Sequence, residues 1–310
     1  MKGRILVNTF GVGTLVLVFG TSSPWAAQDA ATTHRQLESR QPVQGVVDVL
    51  NLFPQVGALL IVGTPNDVGF PVGIVAFCSG TLIHERAFLT AGHCTGPSSF
   101  APLPPFIQAF VSLSPNALDP STWRPVVEQI THPSIPPCPP PSGCDPTTED
   151  VFHALDPGIS DVGLVFLAQP VRGIRPARLA QAHALESRAG ASVPMIFVGY
   201  GFTHLGPGNE VPPPSEWDGW RRIKASKLDR VVDDTWASWK LPSRVCFGDS
   251  GGPTFFNGHP LTTPFDVSLV AVASDGGIDC ISPDYRARVD STAVQRWIHD
   301  TIQQHVSGQH

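Results

Sequence analysis

Cys246 to Pro253 reads CFGDSGGP. Ser250 stands among Gly248, Gly251 and Gly252. Glycine lacks a Cβ, so it takes positive φ and lets the backbone approach a ligand closely. A turn of this kind can aim the amides of Gly248 and Ser250 at one point, and two converging N–H donors make an oxyanion hole. A serine hydroxyl is a poor nucleophile until a base takes its proton. The chain must therefore carry a base elsewhere, and Leu89 to Cys94, LTAGHC, supplies His93. The imidazole in turn needs a carboxylate to fix its tautomer and stabilise its charged form. Asp161 opens the apolar run DVGLVFL, a place where an acidic group is partly buried and costly unless paired.

Gly248 to Gly252 also fits G-x-S-x-G, the nucleophile elbow of α/β-hydrolases, a class that places Asp and then His after the serine. His259, His299 and His305 lie downstream. The chain lacks the alternating strand and helix context of that class, and LTAGHC would go unexplained. The order His93, Asp161, Ser250 uses all three motifs.

Outward from these motifs, the composition fits a β-rich protein. The chain has 310 residues, 42% of them hydrophobic, with Pro 32 and Gly 29. Asp, Glu, Lys and Arg make up 15%, where about 25% is usual. Disordered chains and coiled coils are excluded by that balance. A net charge of −6 leaves no basic stripe for a phosphate backbone, so no nucleic acid partner is expected. Lysine is confined to Lys2, Lys224, Lys227 and Lys240. Short apolar runs separated by P-N-D, G-P-S and G-P-G-N punctuation predict an all-β architecture. The runs are Val56–Val62, Val75–Ile83, Phe106–Val111, Val126–Ile130, Val162–Leu167, Val193–Phe202, Trp236–Leu241, Val267–Ala273 and Tyr285–Val289. After them, Val294, Trp297, Ile298 and Ile302 recur at helical spacing behind Asp290 and Ser291, which can cap a helix.

The N-terminus reads as an export signal over 1–27. Lys2 and Arg4 precede a mostly apolar stretch from Ile5 to Phe19, and small or polar residues follow. A polar pro-segment or linker over 28–45 follows. Export agrees with an even cysteine count: Cys78, Cys94, Cys138, Cys144, Cys246 and Cys280. Sequence alone does not choose their pairing. The proline-rich PSIPPCPPPSGCDP over 133–146 reads most simply as a surface loop closed by Cys138 and Cys144. Neither H-E-x-x-H nor an EF-hand pattern occurs, so no metal and no cofactor is expected.

FCSGTLI (77–83), LTAGHC, DVGLVFL, VGYG (198–201) and CFGDSGGP together resemble a secreted trypsin/chymotrypsin-like serine endopeptidase, in that family's order, from about residue 53 to about residue 304. The resemblance implies two six-stranded antiparallel β-barrels with the site between them. An N-terminal barrel over 46–170 would carry His93 and Asp161, a C-terminal barrel over 171–290 Ser250, and a helix and tail would occupy 291–310. It implies His93 as general base and acid, Asp161 as its orienter, Ser250 as nucleophile, and the Gly248 and Ser250 amides as oxyanion hole. It also implies the bridges Cys78–Cys94 and Cys246–Cys280, which leaves Cys138 and Cys144 for each other, each bridge worth about 2–4 kcal/mol.

The primary specificity position of that family is Arg244 here, with Ser274, Gly276 and Asp284 aligned to the pocket wall and floor. Two readings follow. Arg244 is free to bind an acidic P1 side chain, or it pairs with Asp284 and leaves a shortened, roughly neutral pocket. Relatives of this kind are often zymogens, in which a newly cut N-terminal amine pairs with the residue corresponding to Asp249. A start between Arg40 and Val47 fits that spacing best, and I-V-G-T at 61–64 reads as the end of a strand. The expectation is a secreted or periplasmic monomeric endopeptidase. Its partners are a protein or peptide substrate and protein inhibitors, with no membrane once the signal is removed. A catalytically idle binding module and a serine esterase are the competing readings.

Overall fold

In the computed structural model the described residues are 45–63, 74–95, 108–136, 158–188, 194–206, 210–213, 216–240, 245–256, 268–276, 280 and 284–307. The export signal, nearly all of the 28–45 segment, Cys138, Cys144 and Arg244 lie outside them.

The chain forms two closed six-stranded antiparallel barrels, the architecture of the chymotrypsin-like fold. The first comprises β2 (Val56–Val62), β3 (Ile74–His84), β4 (Ala87–Thr90), β5 (Gln108–Ser112), β6 (Trp123–Thr131) and β7 (Gly163–Leu167). They close in the order β2-β3-β4-β7-β6-β5, with β2 paired to β5. The second comprises β9 (Pro194–Gly199), β10 (Arg222–Val231), β11 (Trp236–Lys240), β12 (Pro253–Phe256), β13 (Ser268–Asp275) and β14 (Asp284–Arg288). They run β10-β11-β14-β13-β12-β9, closed by the β9–β10 pair. Two short strands join this second sheet at its margins. β1 (Val46–Val47) pairs with β10, and β8 (Arg178–Leu179) runs parallel to β13.

Several strands are buried throughout rather than alternating. β4 (AFLT), β7 (GLVFL) and β12 (PTFF) are buried at every position. One face of each fills a barrel and the other is covered by packed neighbours, so both faces favour apolar residues. Gly80, on β3, is required by close packing: a Cβ there would come within 2.4 Å of the Phe88 ring and of the Leu89 carbonyl.

A buried polar staple ties the segment before β2 to both barrels. Arg221 donates from Nε to Asp48 Oδ2 at 2.9 Å and from Nη1 to the Val56 carbonyl at 2.8 Å. The Asp48 carboxylate also accepts the amides of Leu52 and Phe53. Tyr200 stands beside this pair and donates to the Ser114 carbonyl at 2.6 Å. Burial pushes its phenol up to about 12, against the pull of Arg221, so it stays protonated as a donor. On the apolar side, Phe53 stacks on Phe255 with ring centroids 5.7 Å apart.

The C-terminal helix α1 (Thr292–Ser307) buries Val294 and Ile298, with Trp297 and Ile302 partly buried beside them, as the helical spacing predicts. It reaches back to the first barrel: Trp297 meets His132 edge-on and His305 stacks on Phe166. Asp290 does more than precede the helix. Its carboxylate accepts from Arg288 and from the Leu185 amide.

Candidate active site

His93 lies in the one-turn 3₁₀ segment Gly92–Cys94, directly after β4. The Cys78–Cys94 disulfide ties this turn to β3. A Cβ on Gly92 would stand 2.3 Å from Ile135 and 3.0 Å from the Val162 backbone, so the turn sits tightly against the segment that carries Asp161. The His93 amide donates to Asp161 Oδ1 at 2.7 Å, and His93 Nδ1 lies 2.8 Å from Asp161 Oδ2. Asp161 is fully buried, and the hydroxyl of Ser274 also donates to its Oδ2. A single carboxylate thus orders three donors.

Burial and electrostatics oppose each other here. Burial by itself would push His93 down. The charge of Asp161 and its hydrogen bond, helped by Asp275, outweigh burial and hold His93 above the ordinary histidine value. Burial alone would push Asp161 up, but His93, Ser274 and the His93 amide together hold it below the usual carboxylate range. With Nδ1–H committed to the carboxylate, the lone pair of the neutral ring is on Nε2. The side chain of His93 is 28% exposed, enough for an edge of the ring to reach the solvent side.

Ser250 is half-buried on the turn that leads into β12. Two backbone features shape this turn: Gly248 and Gly251 have φ of 87° and 78°. Ser79 of β3 latches the turn to the first barrel. Its amide donates to the Ser250 carbonyl at 2.7 Å, and its hydroxyl donates to the Gly248 carbonyl at 2.8 Å. Gly251 presses on the residues that lead to His93, since a Cβ there would fall 2.1 Å from Thr90 Oγ1 and 2.7 Å from the Ala91 amide. The histidine turn and the serine turn, from different barrels, are therefore backbone neighbours.

Within the serine turn the amides of Asp249, Gly251 and Gly252 are bonded to the carbonyls of Cys246, Ala273 and Asp249. Among the described residues the amides of Gly248 and Ser250 have no acceptor. Those are the two amides that the glycine pattern assigns to an oxyanion. The Cys246–Cys280 disulfide braces the start of the turn.

Asp249 is buried and its carboxylate accepts from the Gly201 amide at 2.9 Å, the Cys246 amide at 3.0 Å and Lys224 Nζ at 2.5 Å. The sequence reading did not single out Lys224. It sits on β10, whose inward positions are Lys224, Ser226 and Leu228, so a hydrophobic period does not reveal the strand. The scarcity of lysine was the available signal, and it did not point to a partner.

Of the aligned pocket residues, Ser274 contacts Asp161 through its hydroxyl, and so serves the histidine. Gly276 and Asp284 lie together, with a Cβ on Gly276 falling 3.8 Å from Asp284 Cβ and from the Val245 carbonyl. Asp284 is buried and accepts both Nε and Nη2 of Arg286, which is itself buried against the rings of Phe197 and Trp239. For a metal, His93 has Cys78 and Cys94 within reach, but these sulfurs are joined to each other and offer no thiolate. The exposed trio His183, Glu186 and Asp234 is also close together, with Arg288 on Glu186 at 2.7 Å. That cation opposes a second one at the same place.

Compared with protein-family models and with curated proteins, the chain matches none of them.

Proposed function

We propose that this chain is a serine endopeptidase that works through an acyl-enzyme. The observation that carries the reading is the pair of buried Asp161 with His93, held against the turn that presents Ser250 and two amides without acceptors among the described residues. In this reading His93 Nε2 takes the proton from Ser250 Oγ as the oxygen attacks the scissile carbonyl. The negative oxygen that forms is held by the amides of Gly248 and Ser250. The imidazolium then gives its proton to the leaving amine, and the acyl group stays on Ser250. Water, deprotonated by His93, repeats the attack and frees the acid and the serine. Asp161 stabilises the imidazolium in both halves without taking the proton.

Several features support this chemistry over an idle binding module, beginning with the retained nucleophile, base and carboxylate. The pairing of His93 with a carboxylate through Nδ1 has a chemical use in proton transfer. Export to an oxidising compartment follows from the same reading and from the Cys78–Cys94 and Cys246–Cys280 bridges. Among the described residues no helix is long and apolar enough to cross a membrane. Substrates are proteins or peptides, and protein inhibitors that fill the same cleft are the other expected partners.

The test is hydrolysis of a peptide library by purified protein, paired with labelling by a fluorophosphonate. Ser250→Ala should abolish both, and His93→Ala should cut peptide hydrolysis by several orders of magnitude, because triad members act as a unit. Peptide cleavage that survives His93→Ala rejects the mechanism. Ester hydrolysis without any peptide cleavage rejects the endopeptidase in favour of an esterase, and inertness to both substrates favours the binding module.

A further inference from the structure

The strongest feature outside the proton-transfer pair is the buried Lys224–Asp249 ion pair behind the serine turn. Asp249 immediately precedes the nucleophile, and its carboxylate is the hub of the turn. It accepts the amide of Cys246 at the start of the turn and the amide of Gly201 on the neighbouring segment. Space for this carboxylate is made by glycine: a Cβ on Gly199 or Gly201 would lie 2.2 Å or 2.4 Å from Asp249 side-chain atoms. A carboxylate in such a place must be paired, because an isolated buried charge is very costly. Lys224 supplies the countercharge from β10, with Nζ over the Phe197 ring at 5.3 Å and on Asp249 Oδ2. Burial pushes the ammonium down, and Asp249 pulls it back toward the charged form.

Building on the endopeptidase reading, we propose that Lys224 is the positioning residue that sets the serine turn, and that the uncut chain therefore orders Ser250 and its two amides without a newly cut N-terminus. The chain around residue 45 supports this. β1 is already in register with β10, Val46 opposite Ile223 and Val47 opposite Arg222, and a Cβ on Gly45 would stand 3.0 Å from Lys224 Cγ. Asp48 is locked to Arg221 just beyond. The uncut segment thus lies against Lys224 while Lys224 holds Asp249, and the countercharge that a terminal amine would bring is present within the strand. Lys224 acts through Asp249 and touches neither substrate nor the reacting atoms.

The experiment compares wild type, Lys224→Met, Lys224→Arg and Arg40→Gln on the full chain. The N-terminus of each preparation is read by sequencing, and the fold is followed by near-UV circular dichroism. Lys224→Met should lower kcat by about 10²–10³, the loss expected when an oxyanion donor is misplaced. KM should change little. Lys224→Arg should recover at least about tenfold of that loss, one such step being 1.36 kcal/mol. Arg40→Gln should retain wild-type kcat. Acylation of the α-amine near neutral pH, where it reacts ahead of lysine because its pKa is about 7.7–8.0, should leave activity intact.

Activity that appears only after trimming between Arg40 and Val47, or that is lost on blocking the α-amine, overturns the inference. So does a folded Lys224→Met with wild-type kcat. If Lys224→Met does not fold, the Arg40→Gln and blocked-amine measurements decide alone. A wild-type chain inert to peptide and to fluorophosphonate in cut and uncut forms overturns the endopeptidase reading, and this one with it.

Discussion

Replacing Asp161 by asparagine tests the chemistry most directly, because the geometry dictates what the new side chain must do. Asp161 accepts from the His93 amide on Oδ1 and from His93 Nδ1 and the Ser274 hydroxyl on Oδ2. Asparagine has one carbonyl oxygen and one NH₂. Its oxygen is best placed at the Oδ1 position, where it keeps the buried His93 amide paired. The NH₂ then faces Nδ1 and donates to it. The imidazole proton moves to Nε2, and the ring can no longer accept a proton from Ser250. A wrong tautomer of this kind lowers kcat by about 10⁴. At 1.36 kcal/mol per tenfold that is about 5.4 kcal/mol of barrier.

The pH profile carries a second, independent sign. In the wild type His93 is held above 6.5 by Asp161 against burial, so kcat/KM should rise with pH through a value above 6.5 as the base form accumulates. In Asp161→Asn the raising causes from Asp161 vanish and burial remains. The residual activity should rise through a lower pH than in the wild type. Initial rates on a fluorogenic peptide from about pH 5 to about pH 9 read both effects. A fall in kcat of less than tenfold, or a limb that does not move down, refutes the role given to Asp161.

Three further outcomes are expected. Arg221→Met leaves the buried Asp48 carboxylate without its guanidinium, which should cost about 3–5 kcal/mol of stability in urea unfolding; a loss below about 1 kcal/mol would mean Asp48 finds another partner. Gly251→Ala places a Cβ on Thr90 and on the Ser79 carbonyl at a φ of 78°, so the two turns must part and kcat should collapse; wild-type kinetics would show that the contact is dispensable. In the peptide library, Lys and Arg at P1 should be disfavoured by about tenfold or more, as both readings of Arg244 drawn from the resemblance expect. A strong preference for basic P1 residues would reject both readings of Arg244.

Much of the fold was legible because apolar runs mark strands wherever both faces are covered. β2, β7 and β13 appear in the sequence as VGALLIV, GLVFL and SLVAVASD, close to their observed ends. The strands that escaped did so for physical reasons. β4 has only four residues and merges with LTAGHC, and β12 follows the serine turn without a break. β10, RIKASKLDRV, places lysine and serine on its inner face and so carries no apolar period. The site divides in the same way. His93 and Asp161 were found as motifs, and their contact is direct. Ser274 was read as pocket wall by alignment, and its hydroxyl also orders Asp161, a contact from β13 of one barrel to the segment just before β7 of the other.

The glycine-rich stretch around Ser250 needs no partner to announce its purpose. Its backbone must take positive φ, and only particular residue types allow that. Apolar runs likewise declare strands, because burial acts on each side chain locally. The countercharge for Asp249 is of another kind. A carboxylate buried in the second barrel requires a cation, but the attraction acts across space and leaves no mark at a fixed distance along the chain. Lysine at position 224 looks like any polar residue on an undistinguished strand until β10 closes on β9 and turns its side chain inward. Barrel closure brings Lys224 and Asp249 together, and the packing of one barrel on the other brings Ser79 to the serine turn and Ser274 to Asp161.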